Sequence, residues 1–176
     1  MDVDLINKIR EAVEKGKEIR SVYYSSIELE DEQELGSPAS QTKLALLEAK
    51  YGKGLPPSYR CFLALYDGWS MVDGAMDLLS IDEMLGGQRE EDIEEWQRQE
   101  REAGDTVAAD SIVIGLSEVT PTKLLLDPGR INSLGEWSVI QHHKGEEADY
   151  PSFLIWLEES IDEFGELIDE ELNGSE

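Results

Sequence analysis

The segment that decides the fold is Leu55-Pro56-Pro57-Ser58-Tyr59-Arg60-Cys61-Phe62-Leu63-Ala64-Leu65-Tyr66-Asp67-Gly68-Trp69. Two prolines suit the first turn of a helix, because a first-turn residue needs no N–H partner and proline already holds φ near the helical value. Apolar side chains recur at helical spacing and predict one buried face, formed by Tyr59, Phe62, Leu63 and Tyr66. Asp67-Gly68 predicts the end of this helix, and Trp69 follows as a large apolar anchor.

This segment and the one before it resemble a known family. The residues that carry the resemblance are the upstream run 44–52 and the motif positions Leu55, Pro56, Tyr59, Phe62, Leu63, Asp67, Gly68 and Trp69. In this pattern the chain is similar to the SUKH superfamily of Smi/Knr-type domains. That group contains fungal regulators of cell-wall synthesis and bacterial immunity proteins that neutralise polymorphic toxins. The resemblance is close over residues 37–69, looser to about residue 164, and carries no catalytic signature.

Length and resemblance together predict one α+β domain. A chain of 176 residues is long enough to bury one substantial core. We expect a single SUKH-like domain over residues 37–170, in which an antiparallel or mixed sheet packs against several helices. Residues 1–36 are expected to add an N-terminal helix and an acidic loop packed on that domain. Residues 171–176 are expected to form a frayed acidic tail.

Periodicity predicts the remaining elements. Helical spacing of apolar residues predicts helices over residues 3–20, from Ser37 or Ser40 to about residue 50, over 88–103 and from Ser152 onward. A strand is predicted over residues 21–29 from its β-branched and aromatic residues. Short apolar runs predict strands over 111–116 and 123–126, and alternation predicts one over 137–142. Turn chemistry adds five local signals: a type I′ hairpin at Asp73-Gly74, a cap at Asp82, an end at Gly86-Gly87, a turn at Asp127-Pro128-Gly129, and a kink or end at Gly165.

The charge of the chain limits its partners. Forty acidic residues against 15 basic ones leave a net charge of −25. Because the phosphates of nucleic acids and anionic lipids would be repelled, we expect neither a nucleic acid nor a membrane as partner. The same charge favours a basic protein partner. Acidity that serves solubility alone is the open alternative.

Two predicted helices concentrate the acidic side chains. The candidate partner-binding residues are Glu91, Glu94 and Glu95 on the first, and Glu158, Asp162 and Glu166 on the last. After Lys144 the chain contains no Lys or Arg. Like charges four positions apart destabilise a helix by a few tenths of a kcal/mol, about 0.2–0.5 per pair, unless a basic group lies opposite. A solvated face remains the plain alternative.

No motif in the chain predicts catalysis or metal binding. His142-His143 with Glu146 and Asp149 is the one metal-like cluster, but adjacent strand residues point to opposite faces, so we expect no metal and no cofactor there. The single cysteine, Cys61, excludes an internal disulfide and is expected to be a packed thiol. It fits a reducing compartment, and we expect a cytoplasmic protein.

The residues at the start of the chain do not resemble a signal peptide, and no apolar run approaches the length of a membrane span. The sequence therefore predicts a non-enzymatic acidic binding protein. The resemblance favours an immunity protein that neutralises a polymorphic toxin, such as a nuclease, by blocking its active-site cleft. The alternative is an intracellular regulatory or scaffold module like the fungal members, and an unrecognised hydrolase ranks third. The oligomeric state is left open.

Overall fold

The computed structural model describes residues 2–31 and 34–174. Within these residues the helices are α1 Val3–Ser26, α2 Gln41–Tyr51, α3 Pro57–Leu65, α4 Ile81–Leu85, α5 Gln88–Ala103, α6 Thr106–Asp110 and α7 Phe153–Asn173. The strands are β1 Met76–Leu78, β2 Ile112–Ser117, β3 Thr122–Ile131, β4 Trp137–His143 and β5 Glu146–Tyr150. They form one sheet in chain order, and every neighbouring pair is antiparallel. The predicted α+β fold is confirmed, with an antiparallel sheet.

Aromatic side chains join α3 to α7 in the centre of the core. The ring of Phe153 lies 5.2 Å from that of Tyr59 and 5.1 Å from that of Phe62, measured between centroids. Tyr59, Phe62 and Leu63 are fully buried, as the helical spacing predicts. Ser152 caps α7 by accepting a hydrogen bond from the N–H of Ile155, which confirms the predicted start of that helix.

The end of α3 differs in detail from the prediction. The helix ends at Leu65, and Tyr66 already has extended backbone, so Asp67-Gly68 is not its cap. Glycine is favoured at position 68 for two other reasons. Its φ is +94°, and a Cβ there would lie only 3.1 Å from the carbonyl oxygen of Leu78. The Asp67 carboxylate accepts a 2.7 Å hydrogen bond from the N–H of Ile81, in the first turn of α4.

Trp69 ties the same region to the N-terminal helix. Its main chain forms both hydrogen bonds of an antiparallel bridge with Leu78, at 3.0 and 2.9 Å. Its ring packs on α1 where Gly16 offers no side chain, since a Cβ on Gly16 would lie 2.8 Å from Trp69 Cη2. α1 is therefore part of the core, and it contributes Ile9, Ala12 and Val13 to it.

The strand predicted over residues 21–29 is wrong, because α1 continues to Ser26. A buried arginine explains the longer helix. Arg20 is 1% exposed, and its guanidinium donates to both carboxylate oxygens of Asp31 and to the carbonyl of Met71. It also lies over the ring of Tyr24 at 5.2 Å. These contacts hold the last turns of α1 helical despite strand-favouring residues. Part of the predicted acidic loop, residues 32 and 33, lies outside the described residues.

The type I′ turn predicted at Asp73-Gly74 is wrong. A type I′ turn needs positive φ at both central residues, and of these two only Gly74 has it. The Asp73 carboxylate instead accepts from the main-chain N–H groups of Ala75 and Met76. Both positive φ values occur at Lys144-Gly145, which joins β4 to β5, with His143 paired to Glu146. The acidic strand β5 was not predicted, because it lacks an apolar face.

Three other local predictions need correction. Asp127-Pro128-Gly129 lies inside β3, where the register with β4 shifts, and does not end the strand. Ser80 rather than Asp82 caps α4, in a capping box with Glu83. α7 passes through Gly165 and continues to Asn173, so Gly165 does not end it. A Cβ on Gly165 would lie 3.0 Å from Ile19 Cδ1, so this glycine lets α1 and α7 pack closely. No helix among the described residues is both long and apolar enough to cross a membrane.

Truncation of Phe62 tests the centre of the core. Phe62→Ala is expected to lower the free energy of unfolding by about 3–5 kcal/mol, the range for a buried phenylalanine. The control is Leu46→Ala, whose side chain is 55% exposed on α2 and should change stability by less than about 0.5 kcal/mol. Urea unfolding measures both. Equal stability of Phe62→Ala and the parent protein would place α3 outside the core.

A larger side chain at Gly16 tests whether α1 packs as closely as the contact with Trp69 requires. Gly16→Val is expected to destabilise the protein by about 1–3 kcal/mol through overpacking. Gly54→Ala is the control, because a Cβ there meets no atom within 4 Å. Thermal unfolding of both variants separates a clash from a general effect of replacing glycine. An unchanged melting temperature for Gly16→Val would contradict the close packing.

Candidate protein-binding surface

A groove runs along the surface between α1 and α7. Its first part has a volume of about 450 Å³, and its apolar lining comes from Ile19, Val22, Gly165 and Ile168. A second part of about 560 Å³ shares Ile168 and adds Tyr23, Tyr24, Phe164 and Leu167. Val22 and Leu167 are 59% and 61% exposed, so they add apolar surface that a partner could cover. We call this surface the α1/α7 groove.

Acidic side chains border the α1/α7 groove. The carboxylates beside its first part are Glu18, Asp162, Glu166 and Asp169. Glu166 and Asp169 are exposed and form no ion pair within the described part of the chain. Glu170 and Glu171 line the second part. Apolar contact area therefore lies beside the carboxylates of Glu166 and Asp169, which form no ion pair among the described residues.

The acidic face predicted on α7 is partly compensated by α1. Lys15 Nζ lies 2.5 Å from the carboxylate of Asp162, and both side chains are more than half exposed. Glu158 is half-buried, and burial raises its pKa while Lys8 and Lys15 act in the opposite direction. For Asp162, the basic group opposite α7 is therefore Lys15 of the same chain. Only Glu166 of the three predicted residues remains exposed and unpaired.

The acidic face of α5 has a different character. Glu95 pairs with Arg98 at 2.7 Å, and hydrogen bonds from Arg98 and Gln99 lower the pKa of its carboxyl group. Glu91 and Glu94 are exposed without an ion pair among the described residues. No large apolar side chain of α5 is exposed. This face has the composition of a solvated surface, whereas the α1/α7 groove has that of an interface.

The motif residues lie inside the molecule and position this surface. Leu55, Pro56, Gly68 and the aromatic positions are buried, and Asp67 is half-buried. Cys61 is buried too, and burial raises the pKa of its thiol. None of these groups faces the α1/α7 groove. Their part is to hold α3 against α1 and α7, which set the shape of the groove.

A polar cluster that the sequence did not indicate, in which only His142 is buried and the two acids are half-buried, lies elsewhere, between α5 and the sheet. His142 Nε2 lies 3.4 Å from Asp105 Oδ2, and Glu100 is the third member. His143 points away and its Nδ1 is 2.7 Å from Thr122 Oγ1, so the two histidines are separated as strand alternation predicts. Asp149, also part of the predicted cluster, pairs with Arg130 instead. Glu100 and Asp105 are five positions apart, whereas His142 is distant from both in sequence, and no motif relates the three.

Two further side chains enclose this cluster. The Trp96 ring meets the His142 ring edge-on, with centroids 5.5 Å apart. Lys123 is the cross-strand partner of His142, and its ammonium lies 4.6 Å from the centre of the Trp96 ring. Burial lowers the pKa of Lys123, and the negative charge of Glu100 partly offsets that effect.

The fold and the α1/α7 groove define an α+β domain with an acidic surface groove. The family model for the SMI1 / KNR4 family (SUKH-1) matches residues 38–170. Because that match covers most of the chain, this protein belongs to the SMI1 / KNR4 family, which confirms the resemblance seen in the motif. A comparison with curated proteins finds no significant match. The matched region begins after α1, although α1 forms one wall of the groove.

Charge reversal at two positions of α7 should distinguish an acidic residue that stabilises the fold from one that does not. Asp162→Lys would place an ammonium beside Lys15 and is expected to lower the free energy of unfolding by about 1 kcal/mol. Glu166→Lys removes no ion pair and should change it by less than about 0.5 kcal/mol. Urea unfolding at low salt measures the difference. If both variants were equally stable, the Lys15–Asp162 pair would be unimportant in solution.

Proposed function

We propose that this protein is an immunity protein that binds and neutralises a basic toxin domain. Support comes from membership of a family that includes such proteins, from the net charge of −25, and from the α1/α7 groove. The observation that carries the proposal is the apolar groove bordered by the exposed carboxylates of Glu166 and Asp169, which form no ion pair within the described residues. The target is a toxin with a basic cleft, of which a nuclease is the simplest kind, since such a cleft binds phosphate backbones.

The composition of the groove favours a particular kind of contact. Stable interfaces combine a buried apolar centre with a polar border. Val22 and Leu167 can supply the centre, and Glu166 and Asp169 the border. A groove between two helices accepts the apolar side of an amphipathic segment. We infer that the toxin inserts such a segment, with Lys or Arg flanking its apolar side chains.

The two parts of the surface would control different rate constants. Carboxylates at the border attract a basic partner from solution, so they act mainly on the association rate and its salt dependence. The apolar contacts in the groove act mainly on dissociation. Binding occludes the toxin without turnover, and the protein acts as a non-enzymatic cytoplasmic inhibitor in this proposal.

Charge reversal at the border tests the proposal in a defined way. The partner to be tested is a toxin-like domain from a neighbouring gene, identified first by inspecting the genes that flank this one. The double variant Glu166→Lys/Asp169→Lys should slow association at low salt by about tenfold, because steering enhances association by about 10–1,000-fold. The matched control, Glu91→Lys/Glu94→Lys, makes the same change of net charge on α5 and should slow association much less. Stopped-flow kinetics measures the association rate constants of both double variants at a low salt concentration and at 0.1 M. At 0.1 M the Debye length is roughly 10 Å, so the difference between the variants should be smaller there.

An apolar position provides the second arm of the same experiment. Leu167→Asp should speed dissociation by at least about tenfold, as expected for a buried interface contact worth about 1.4 kcal/mol or more. Leu134→Asp is the control, since Leu134 is 79% exposed in the turn between β3 and β4, outside the groove. In cells that express the toxin, Leu167→Asp should reduce protection more than Leu134→Asp does. If no variant changes either rate constant, the groove is not the interface. If the neighbouring domain does not bind at all, the regulatory or scaffold alternative is favoured.

A further inference from the structure

We propose that Glu100, Asp105 and His142 bind a divalent transition metal ion, with Zn²⁺ as the best fit. Glu100 lies in the last turns of α5, Asp105 caps α6, and His142 belongs to β4. One carboxylate oxygen from each acid and a ring nitrogen of the histidine all lie within 4.8 Å of one another. The described residues contain this one group of three potential ligands.

The buried ring of His142 is the observation that points to a ligand. The residue is 3% exposed, and its Nε2 has no hydrogen-bond partner in the described structure. The distance of 3.4 Å to Asp105 Oδ2 exceeds a normal N–H···O hydrogen bond of about 2.7–3.2 Å. Two ligands of a tetrahedral zinc ion, each about 2.0–2.2 Å from the metal, are separated by roughly that 3.4 Å. A cation between these atoms would satisfy both.

Surrounding contacts already orient the ligands. Asp105 Oδ1 accepts a 2.9 Å hydrogen bond from the N–H of Ala108, which leaves Oδ2 directed at His142. The N–H of Asp105 donates to the carbonyl of Glu100 at 2.9 Å, so the two acidic residues are held close in space. Trp96 packs against the imidazole and fixes its plane. Such outer contacts commonly set the geometry of a metal site.

The surrounding charges limit the affinity without preventing binding. Lys123 interacts with Glu100 and brings one positive charge near the site. Two carboxylates against one ammonium leave the group net negative before a metal binds. One imidazole and two carboxylates form a mixed nitrogen and oxygen set, which suits Zn²⁺ better than Mg²⁺ or Ca²⁺. Three protein ligands leave a fourth position for water.

Metal binding would stabilise the packing of two helices on the sheet. The ion would join the end of α5 and the start of α6 to β4, and thereby fix the charged helix α5 on the sheet. Ion binding to the folded state raises the melting temperature by an amount that grows with the logarithm of the ion concentration divided by the dissociation constant. Zn²⁺ at about 100 times its dissociation constant should raise the melting temperature by about 5–10 °C for a chain of this length.

Metal titration of chelator-treated full-length protein tests the site. Zn²⁺ should raise the melting temperature and bind with one-to-one stoichiometry in calorimetry. Co²⁺ should give the visible absorption of a tetrahedral nitrogen and oxygen site. Mg²⁺ at the same concentration is the control for general attraction to an acidic protein. An equal shift with Mg²⁺, or no shift with Zn²⁺, would overturn the proposal.

Conservative variants assign the ligands. Asp105→Asn keeps an oxygen for the Ala108 N–H, and Glu100→Gln keeps the size of the side chain. Each should weaken Zn²⁺ binding at least tenfold, as should His142→Gln. The matched control is Glu102→Gln on the same helix, where the carboxylate pairs with Arg98 instead. Zn²⁺ affinities that are the same in Asp105→Asn and Glu102→Gln would show that His142 and Asp105 hold no metal.

Discussion

The packing of Trp69 is the contact on which the rest of the structure depends. Its main chain pairs with Leu78 on one side, and its ring fills the space above Gly16 on the other. The preceding Asp67 binds the first turn of α4. Gly68 allows the main chains to approach, because a side chain there would collide with the backbone that leads into α4. These three consecutive residues join α3 to β1, α4 and α1, which explains physically why the Asp-Gly-Trp sequence follows a short aromatic helix.

The N-terminal helix is therefore a structural part of the domain, although the family match begins after it. Buried Arg20 anchors its end through Asp31 and Met71. Loss of Asp31 would leave the buried guanidinium of Arg20 without its carboxylate partner, which is destabilising, so the last turns of α1 have a preferred position. Those turns supply Val22 and Ile19 to the α1/α7 groove. The proposed binding surface is thus built jointly by the family domain and by a helix outside it.

Sequence patterns predicted those features that depend on local spacing. The aromatic face of α3, the charged helix α5 and the cap at Ser152 all follow from residues close together in the chain. Long-range contacts account for the differences. Strand-favouring residues after Arg20 are helical because the arginine is buried by a distant loop. Lys15 faces Asp162, so a face that looks uncompensated along α7 is partly neutralised in space. The cluster around His142 joins residues from three elements, and no spacing rule could indicate it.

Native-state hydrogen exchange of α1 tests most directly whether this helix belongs to the cooperative core. The fully buried positions Ile9 and Val13 on α1 are compared with Phe62 on α3 and Trp156 on α7. Slow exchange at all four amides with similar opening free energies is the expected result, because one core cluster contains all four side chains. Exchange of the α1 amides through a low-energy opening, while α3 and α7 stay protected, would contradict it. In that case the α1/α7 groove would not exist as a preformed surface.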